Sequence, residues 1–315
     1  MGRVTVRRPV LTLSAQGERR RLDAIAGEEP LELRVNGRAL SVTMRTPGHD
    51  VELAHGFLLT EAVITNRSHV RTARFCDSPD METYRANSAP DSPDMSPCRA
   101  AGQGQRQRQR QRQRSFNVLD VELAGGVPGP GDSAQRNFYT TSSCGVCGKA
   151  SLDAVRLRTS FPPAADPVTV TPATLATLPD VLRAAQRVFQ ATGGLHAAGL
   201  FTATGELLVA REDVGRHNAV DKVLGWALLT ERIPATGCVL MVSGRASFEL
   251  VQKAVMAGIP MLAAVSAPSS RAVDLAVDAG LTLIGFLRGS TMNIYAGQHR
   301  IDREPSGYQA LCEPA

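Results

Sequence analysis

Between residues 207 and 288, short apolar runs alternate with helical stretches, and this alternation constrains the fold more than any other feature of the chain. "GELLVARED" reads as a strand entering a polar turn, after which Val220, Val223, Leu224, Ala227 and Leu228 recur at helical spacing. "CVLMVSGR" reads as a buried strand, Ala246 to Ala257 as a helix stopped by Gly258, and "IPMLAAVS" as a strand. Ser269 to Ala279 follows as a helix stopped by Gly280, then "LTLIGFLR" as a further strand. Strands this short, connected through helices, predict an α/β architecture: a mostly parallel sheet with flanking helices.

The preceding half has a different grammar. "LELRVNGRALSVTMRT" alternates Leu31, Leu33 and Val35, then Leu40, Val42 and Met44, around Asn36-Gly37, a strong hairpin signal. "GHDVELAHGFLLTEAVI" predicts a helix capped by Asp50, with Leu53, Ala54, Phe57 and Leu58 on one face. Residues 1–136 are therefore expected to form a smaller α+β region and residues 137–315 the α/β domain. Residues 76–114 are rich in Pro, Ser, Asp and Arg and poor in branched apolar side chains, so they predict a disordered or loosely looped insertion carrying Cys76 and Cys98.

A chain of 315 residues can bury two cores, and its six cysteines are too few for a disulfide framework, which points to a reducing compartment. The amino terminus is basic, but the apolar run Val10 to Leu13 is too short for a signal peptide, and no stretch approaches the ~18 apolar residues of a membrane span. A cytoplasmic protein that engages no membrane is expected. The formal charge is +5, but Gln105 to Arg114 holds five arginines, and 5 − 5 = 0 remains for the rest. The positive charge belongs to one low-complexity segment, so nucleic acid is not an expected partner.

In a sheet of this kind, ligands gather at the carboxyl ends of the strands. The segments predicted there are Arg211 to Asn218, Ser243 to Ser247, Ser266 to Arg271 and Arg288 to Thr291. Glycines admit close backbone donors, hydroxyls and arginines add more, and two of these loops open helices, which together predict a site for a phosphate-bearing ligand, a nucleotide. No Gly-x-x-x-x-Gly-Lys-Ser/Thr is present, which excludes a P-loop hydrolase. His217, among Arg211, Asp213, Arg216 and Asp221, suits either a proton donor or ligand contact, or a structural bond to a carboxylate.

"TTSSCGVCGKAS" holds the one closely spaced cysteine pair. A strand-like "NFYTT" before it and a helical "KASLDAVRL" after it put Cys144 and Cys147 in a turn at a helix start, where the helix dipole and Lys149 would stabilise a thiolate. A zinc site lacks a second ligand pair at finger or ribbon spacing, and Cys238 reads as a small core residue, so no metal is expected. A sulfur carrier and a dithiol oxidoreductase both remain compatible with the residues.

The segments "EPLELRVNGRALSVTMRTPGHDVELAHGFLLTEAVI", "RNFYTTSSCGVCGKASLDAV", "REDVGRHNAVDKVLGWAL", "VSGRASFELVQKAVMAGIPMLAAVSAPSSRAVDLA" and "GFLRGSTMNIY" resemble, in order and over nearly the whole chain, the FdhD family of formate dehydrogenase accessory proteins. The resemblance implies a sulfurtransferase. A cysteine desulfurase would load a persulfide onto Cys144, with Cys147 as its partner, and the sulfur would pass to bis(molybdopterin guanine dinucleotide) before formate dehydrogenase receives that cofactor. It further implies a cofactor-contacting stretch at Phe286, Leu287, Arg288, Gly289, Ser290 and Thr291, which would meet its guanine nucleotide portion. A cytidine-deaminase-like larger domain and a homodimer are implied as well. The insertion at 76–114 departs from the family pattern.

Overall fold

The computed structural model describes residues 3–76, 84–85, 117–130 and 159–303, so the Cys144 and Cys147 turn and nearly all of the segment read as an insertion lie outside the described residues. The chain opens with an antiparallel ribbon of β1 (Thr5–Ser14) and β2 (Gly17–Ala26). Next come β3 (Glu29–Val35) and β4 (Arg38–Arg45), then α1 (Asp50–Thr60), β5 (Val70–Phe75), β6 (Tyr84–Arg85) and β7 (Val118–Leu123). These make a five-stranded sheet in the order β4-β3-β7-β5-β6.

The predicted hairpin is present: Asn36 and Gly37 both have positive φ, 51° and 77°, as a primed two-residue turn requires. Its apolar alternation is not kept through β4. Leu40 is buried, but Val42 is 56% exposed and Met44 is 38% exposed. The pairing slips by one residue opposite Leu33 and Arg34, leaving Leu40 as the extra residue of a bulge. Beyond a bulge the side-chain phase inverts, so Ser41 and Thr43 take the inner face while Val42 and Met44 turn outward.

The helix start also differs from expectation. His49, in the left-handed region, is the cap of α1, and Asp50 is its first helical residue. The Asp50 carboxylate is drawn instead to the buried guanidinium of Arg45, at 3.0 and 3.1 Å.

The second unit comprises α2 (Pro172–Ala185), α3 (Arg187–Thr192), β8 (His196–Thr202), β9 (Leu207–Asp213), α4 (Arg216–Leu229), β10 (Cys238–Val242), α5 (Phe248–Met256), β11 (Met261–Ala264), α6 (Ser270–Ala279), β12 (Thr282–Arg288) and β13 (Thr291–Ala296). Its six strands run β13-β12-β11-β10-β8-β9. Only β10, β11 and β12 are mutually parallel, while β8, β9 and β13 pair antiparallel with their neighbours. The sheet is therefore mixed rather than mostly parallel. Gly289-Ser290 between β12 and β13, and the short turn between β8 and β9, leave no room for the crossover that a parallel neighbour needs.

Period-two alternation divides the core. Val239 and Met241 of β10 face one cluster beneath α2, whereas Leu240 and Val242 face another beneath α4, α5 and α6. The second cluster runs on without a break into Leu31, Leu33, Leu53 and Leu119 of the amino-terminal unit. Helices α1 and α4 cross at this junction through reciprocal glycines: a Cβ on Gly56 would strike the Asp221 carbonyl, and one on Gly225 would strike the Glu52 carbonyl.

Candidate functional site

Backbone hydrogen bonds join the loops at the carboxyl edge of the parallel strands. Ser243 N–H donates to the Ala197 carbonyl (3.0 Å), Ser266 N–H to Gly244 (3.3 Å) and Phe286 N–H to Ser266 (3.2 Å). Ser243 Oγ accepts from Ala197 N–H at 2.9 Å. The expected loops at Ser243–Ser247, Ser266–Arg271 and Phe286–Thr291 thus lie side by side, with His196 and the start of α4 at one end. Three strand spacings, about 14 Å, separate the β8 end from the β12 end.

The Arg211 to Asn218 segment splits into two jobs. Arg211 turns away from the edge to hold Glu52 in a two-pronged pair, at 2.5 and 2.7 Å. Burial opposes the Glu52 charge, but Arg211 and His49 outweigh it and hold this carboxyl below its ordinary range. Asp213 is sealed against Lys222 Nζ at 2.7 Å, and its oxygens also accept from Thr46 N–H, Gly215 N–H and Asn218 Nδ2. Lys222 donates in turn to the Thr46 carbonyl at 2.8 Å. Behind them Lys253 holds both oxygens of Asp221, at 2.7 and 2.8 Å. Arg211, Asp213, Asn218 and Lys222 thus tie β9 and α4 to the amino-terminal unit, and Arg216 and His217 remain at the ligand edge. Lys222, Glu249 and Lys253 carry no mark in the sequence: a charged side chain in a helix gives no sign of which partner the fold brings to it.

Phe286–Thr291 is the tip of the β12–β13 hairpin. Leu287 anchors it in the core, while Phe286, Arg288, Gly289, Ser290 and Thr291 are exposed. Phe286 has φ 52°, an unusual conformation for a bulky residue, and its ring is held out at 39% exposure. Arg288 Nε donates to the Val265 carbonyl at 3.1 Å, which aims the guanidinium along the edge. Thr291 Oγ1 closes the turn onto the Arg288 carbonyl at 3.0 Å.

His217 and Glu249, from the first turns of α4 and α5, meet at 2.5 Å. His196 lies beside them; burial, then the charges of Arg216 and His217, hold its imidazole below the usual value. Cys238 is partly buried at the start of β10, and burial pushes its thiol up, which fits a packing role. Among the described residues no group of three or more His, Cys, Asp or Glu is arranged to hold a metal, and no helix is long and apolar enough to cross a membrane.

The sequence and fold have close counterparts. The chain is 55% identical over 306 residues to the sulfur carrier protein FdhD of Nocardia farcinica, covering 97% of this chain and 98% of that one. It is 56% identical over 298 residues to its namesake in Mycolicibacterium paratuberculosis, with 95% and 99% covered. For the protein of the same name in Streptomyces coelicolor the figures are 53% over 302 residues, with 96% and 97% covered. The crystal structure of an accessory protein from Desulfotalea psychrophila superposes with a TM-score of 0.66 over 95% of this chain and all of the other, at 22% identity, which speaks for the fold alone. A family model described as the FdhD/NarQ family matches residues 26–302, which takes in both sheets and the whole loop edge, and the chain therefore belongs to the FdhD/NarQ family.

Proposed function

We propose that this protein is a sulfur carrier serving formate dehydrogenase, that it takes sulfur from a cysteine desulfurase as a persulfide on Cys144, and that it hands it to bis(molybdopterin guanine dinucleotide). The observation that carries this reading is identity above half, over almost the full length, to proteins named sulfur carrier protein FdhD. Loading is a thiol exchange: the Cys144 thiolate attacks the outer sulfur of the donor's persulfide, a new S–S bond forms, the donor's S–S bond breaks, and the donor leaves as a thiolate. Cys147 assists or relays. The protein works in the cytoplasm as a homodimer, and its larger unit takes a cytidine-deaminase-like form.

The guanine end of the cofactor, which is substrate here, rests on Phe286 to Thr291. A ring held out at the strained Phe286 offers a stacking face for a base, worth about 1–3 kcal/mol. Arg288 supplies a cation for phosphate, and at Gly289 a side chain would meet only open space, so a ligand can approach the backbone closely.

Incubation of the full-length chain with a cysteine desulfurase and cysteine, followed by mass spectrometry, tests the reading. The wild-type protein should gain the mass of sulfur on Cys144 and the Cys144→Ala variant should gain none. A Cys144–Cys147 disulfide formed in place of added sulfur would mark a dithiol oxidoreductase.

A further inference from the structure

The sealed pairs of Asp213 with Lys222 and of Asp221 with Lys253 contrast with the pair of His217 and Glu249, whose side chains are 22% and 16% exposed on the ligand edge. His217 Nε2 lies 2.5 Å from Glu249 Oε2, with Ser247 Oγ 3.5 Å from the same nitrogen. A carboxylate that close fixes the hydrogen on Nε2, and Nδ1 is the ring nitrogen left to gain or lose a proton. Two neighbouring atoms, Arg216 Nε and Glu249 Oε1, are buried without a hydrogen-bond partner among the described residues. Burying such an atom unpaired is costly, and a clamp serving only to join two helices would have no reason to keep it.

The surroundings favour a charged carboxylate beside a ring that can accept a proton. Burial disfavours the Glu249 charge, but His217 first, then Lys253 and Arg216, outweigh it and hold the carboxyl below its usual range. The groups facing the pair are Arg216 and Asp221 from α4, Ser247 and Lys253 at the start and within α5, and His196 from β8, which in turn faces Asp213 of β9 and Arg245 of the loop after β10.

We propose that His217, positioned by Glu249, exchanges the proton of a sulfhydryl group brought to this edge: the Nδ1 lone pair takes the S–H hydrogen, leaving a thiolate and an imidazolium. Glu249 is the positioning residue, orienting the ring and compensating the imidazolium charge. Only a proton moves, and the reverse step returns it, so neither oxidant nor reductant is consumed. The inference rests on the sulfur-carrier reading, since a sulfur relay needs thiolates rather than thiols near neutral pH.

The test uses the full-length protein loaded with radiolabelled sulfur from cysteine and a desulfurase, with release to dithiothreitol followed from about pH 5 to pH 9. The wild-type rate should fall with one-proton dependence as the imidazole is protonated. His217→Gln should lose that limb, keep only the rise at higher pH as dithiothreitol itself ionises, and run about 100-fold slower at neutral pH. Glu249→Gln should keep part of the rate with its limb displaced to lower pH, because the imidazolium has lost its counter-charge, and Glu249→Asp should move the limb back. Release by both His217→Gln and Glu249→Gln at the wild-type rate, with the wild-type limb, overturns the inference while leaving the sulfur-carrier reading intact. Absence of label on the wild-type protein sinks that reading and the inference with it. The ring proton signal of His217 gives a check independent of turnover: a titration midpoint unmoved by Glu249→Gln would show that the carboxylate does not govern the ring.

Discussion

His55 shows how a single residue can tie stability to pH. It sits on α1 with its Nδ1 2.7 Å from the Val51 carbonyl and its ring fully buried. Burial is the dominant influence and pushes its pKa from 6.5 to about 4, against smaller opposing pulls from the Val51 carbonyl and Glu52. The folded protein therefore binds fewer protons than the unfolded chain between these values, and stability must fall as pH drops below 6.5, with the loss complete below about 4. The full loss amounts to about 3 kcal/mol. Urea unfolding at a series of pH values should show this slope in the wild-type protein and a shallower one in His55→Gln; parallel slopes would mean that the acid sensitivity lies elsewhere, with Glu52 and Glu249 the next carboxylates to examine. Nothing in the sequence distinguishes His55 from the exposed His49 six residues earlier, because burial of a helical face is decided by what packs against it.

At the scale of elements, local signals read well and long-range ones poorly. The Asn36-Gly37 turn, the stop at Gly280 and the buried stripe of Val220, Val223, Leu224, Ala227 and Leu228 are all carried by neighbours in sequence, and all are found where local chemistry puts them. The Leu40 bulge depends on the register of β4 against β3, and the direction of β8 and β13 on the lengths of turns, so neither follows from alternation alone. The α1–α4 crossing is the plainest case of information absent from periodicity. Gly56 and Gly225 look like weak points in two helices, yet each admits the partner's backbone. Alanine at Gly225 gains about 1 kcal/mol of helix propensity, but it must drive the helices apart within a packed core. We expect Gly225→Ala to lower stability by a net of about 2 kcal/mol, read as a lower urea midpoint at unchanged slope. A raised midpoint would show that the crossing yields without strain.

Over the whole molecule the two sheets share one core and one buried polar network, and this sets both its cooperativity and the rigidity of its ligand edge. Read as a string, "REDVGRHN" is a ligand loop; folded, it divides between Arg211, Asp213 and Asn218, which face inward, and Arg216 and His217, which face the edge. A strand end and a helix start point their side chains in different directions, so adjacent polar residues can serve different surfaces, and that division is invisible until the amino-terminal unit is in place. Holding one half of the segment in a sealed network fixes the backbone from which the other half projects. Lys222→Met tests this coupling. It keeps most of the apolar stem but leaves the Asp213 charge buried, and removing one partner of such a pair costs about 3–5 kcal/mol. Three N–H donors still reach Asp213, from Thr46, Gly215 and Asn218, so the loss should fall at the low end, about 3 kcal/mol. Trp226, the single tryptophan, lies on α4 against the shared core, and its fluorescence should follow the same unfolding transition as far-ultraviolet circular dichroism in wild type and variant alike. Two separated transitions in the wild-type protein would show that the sheets unfold independently and that the network does not join them.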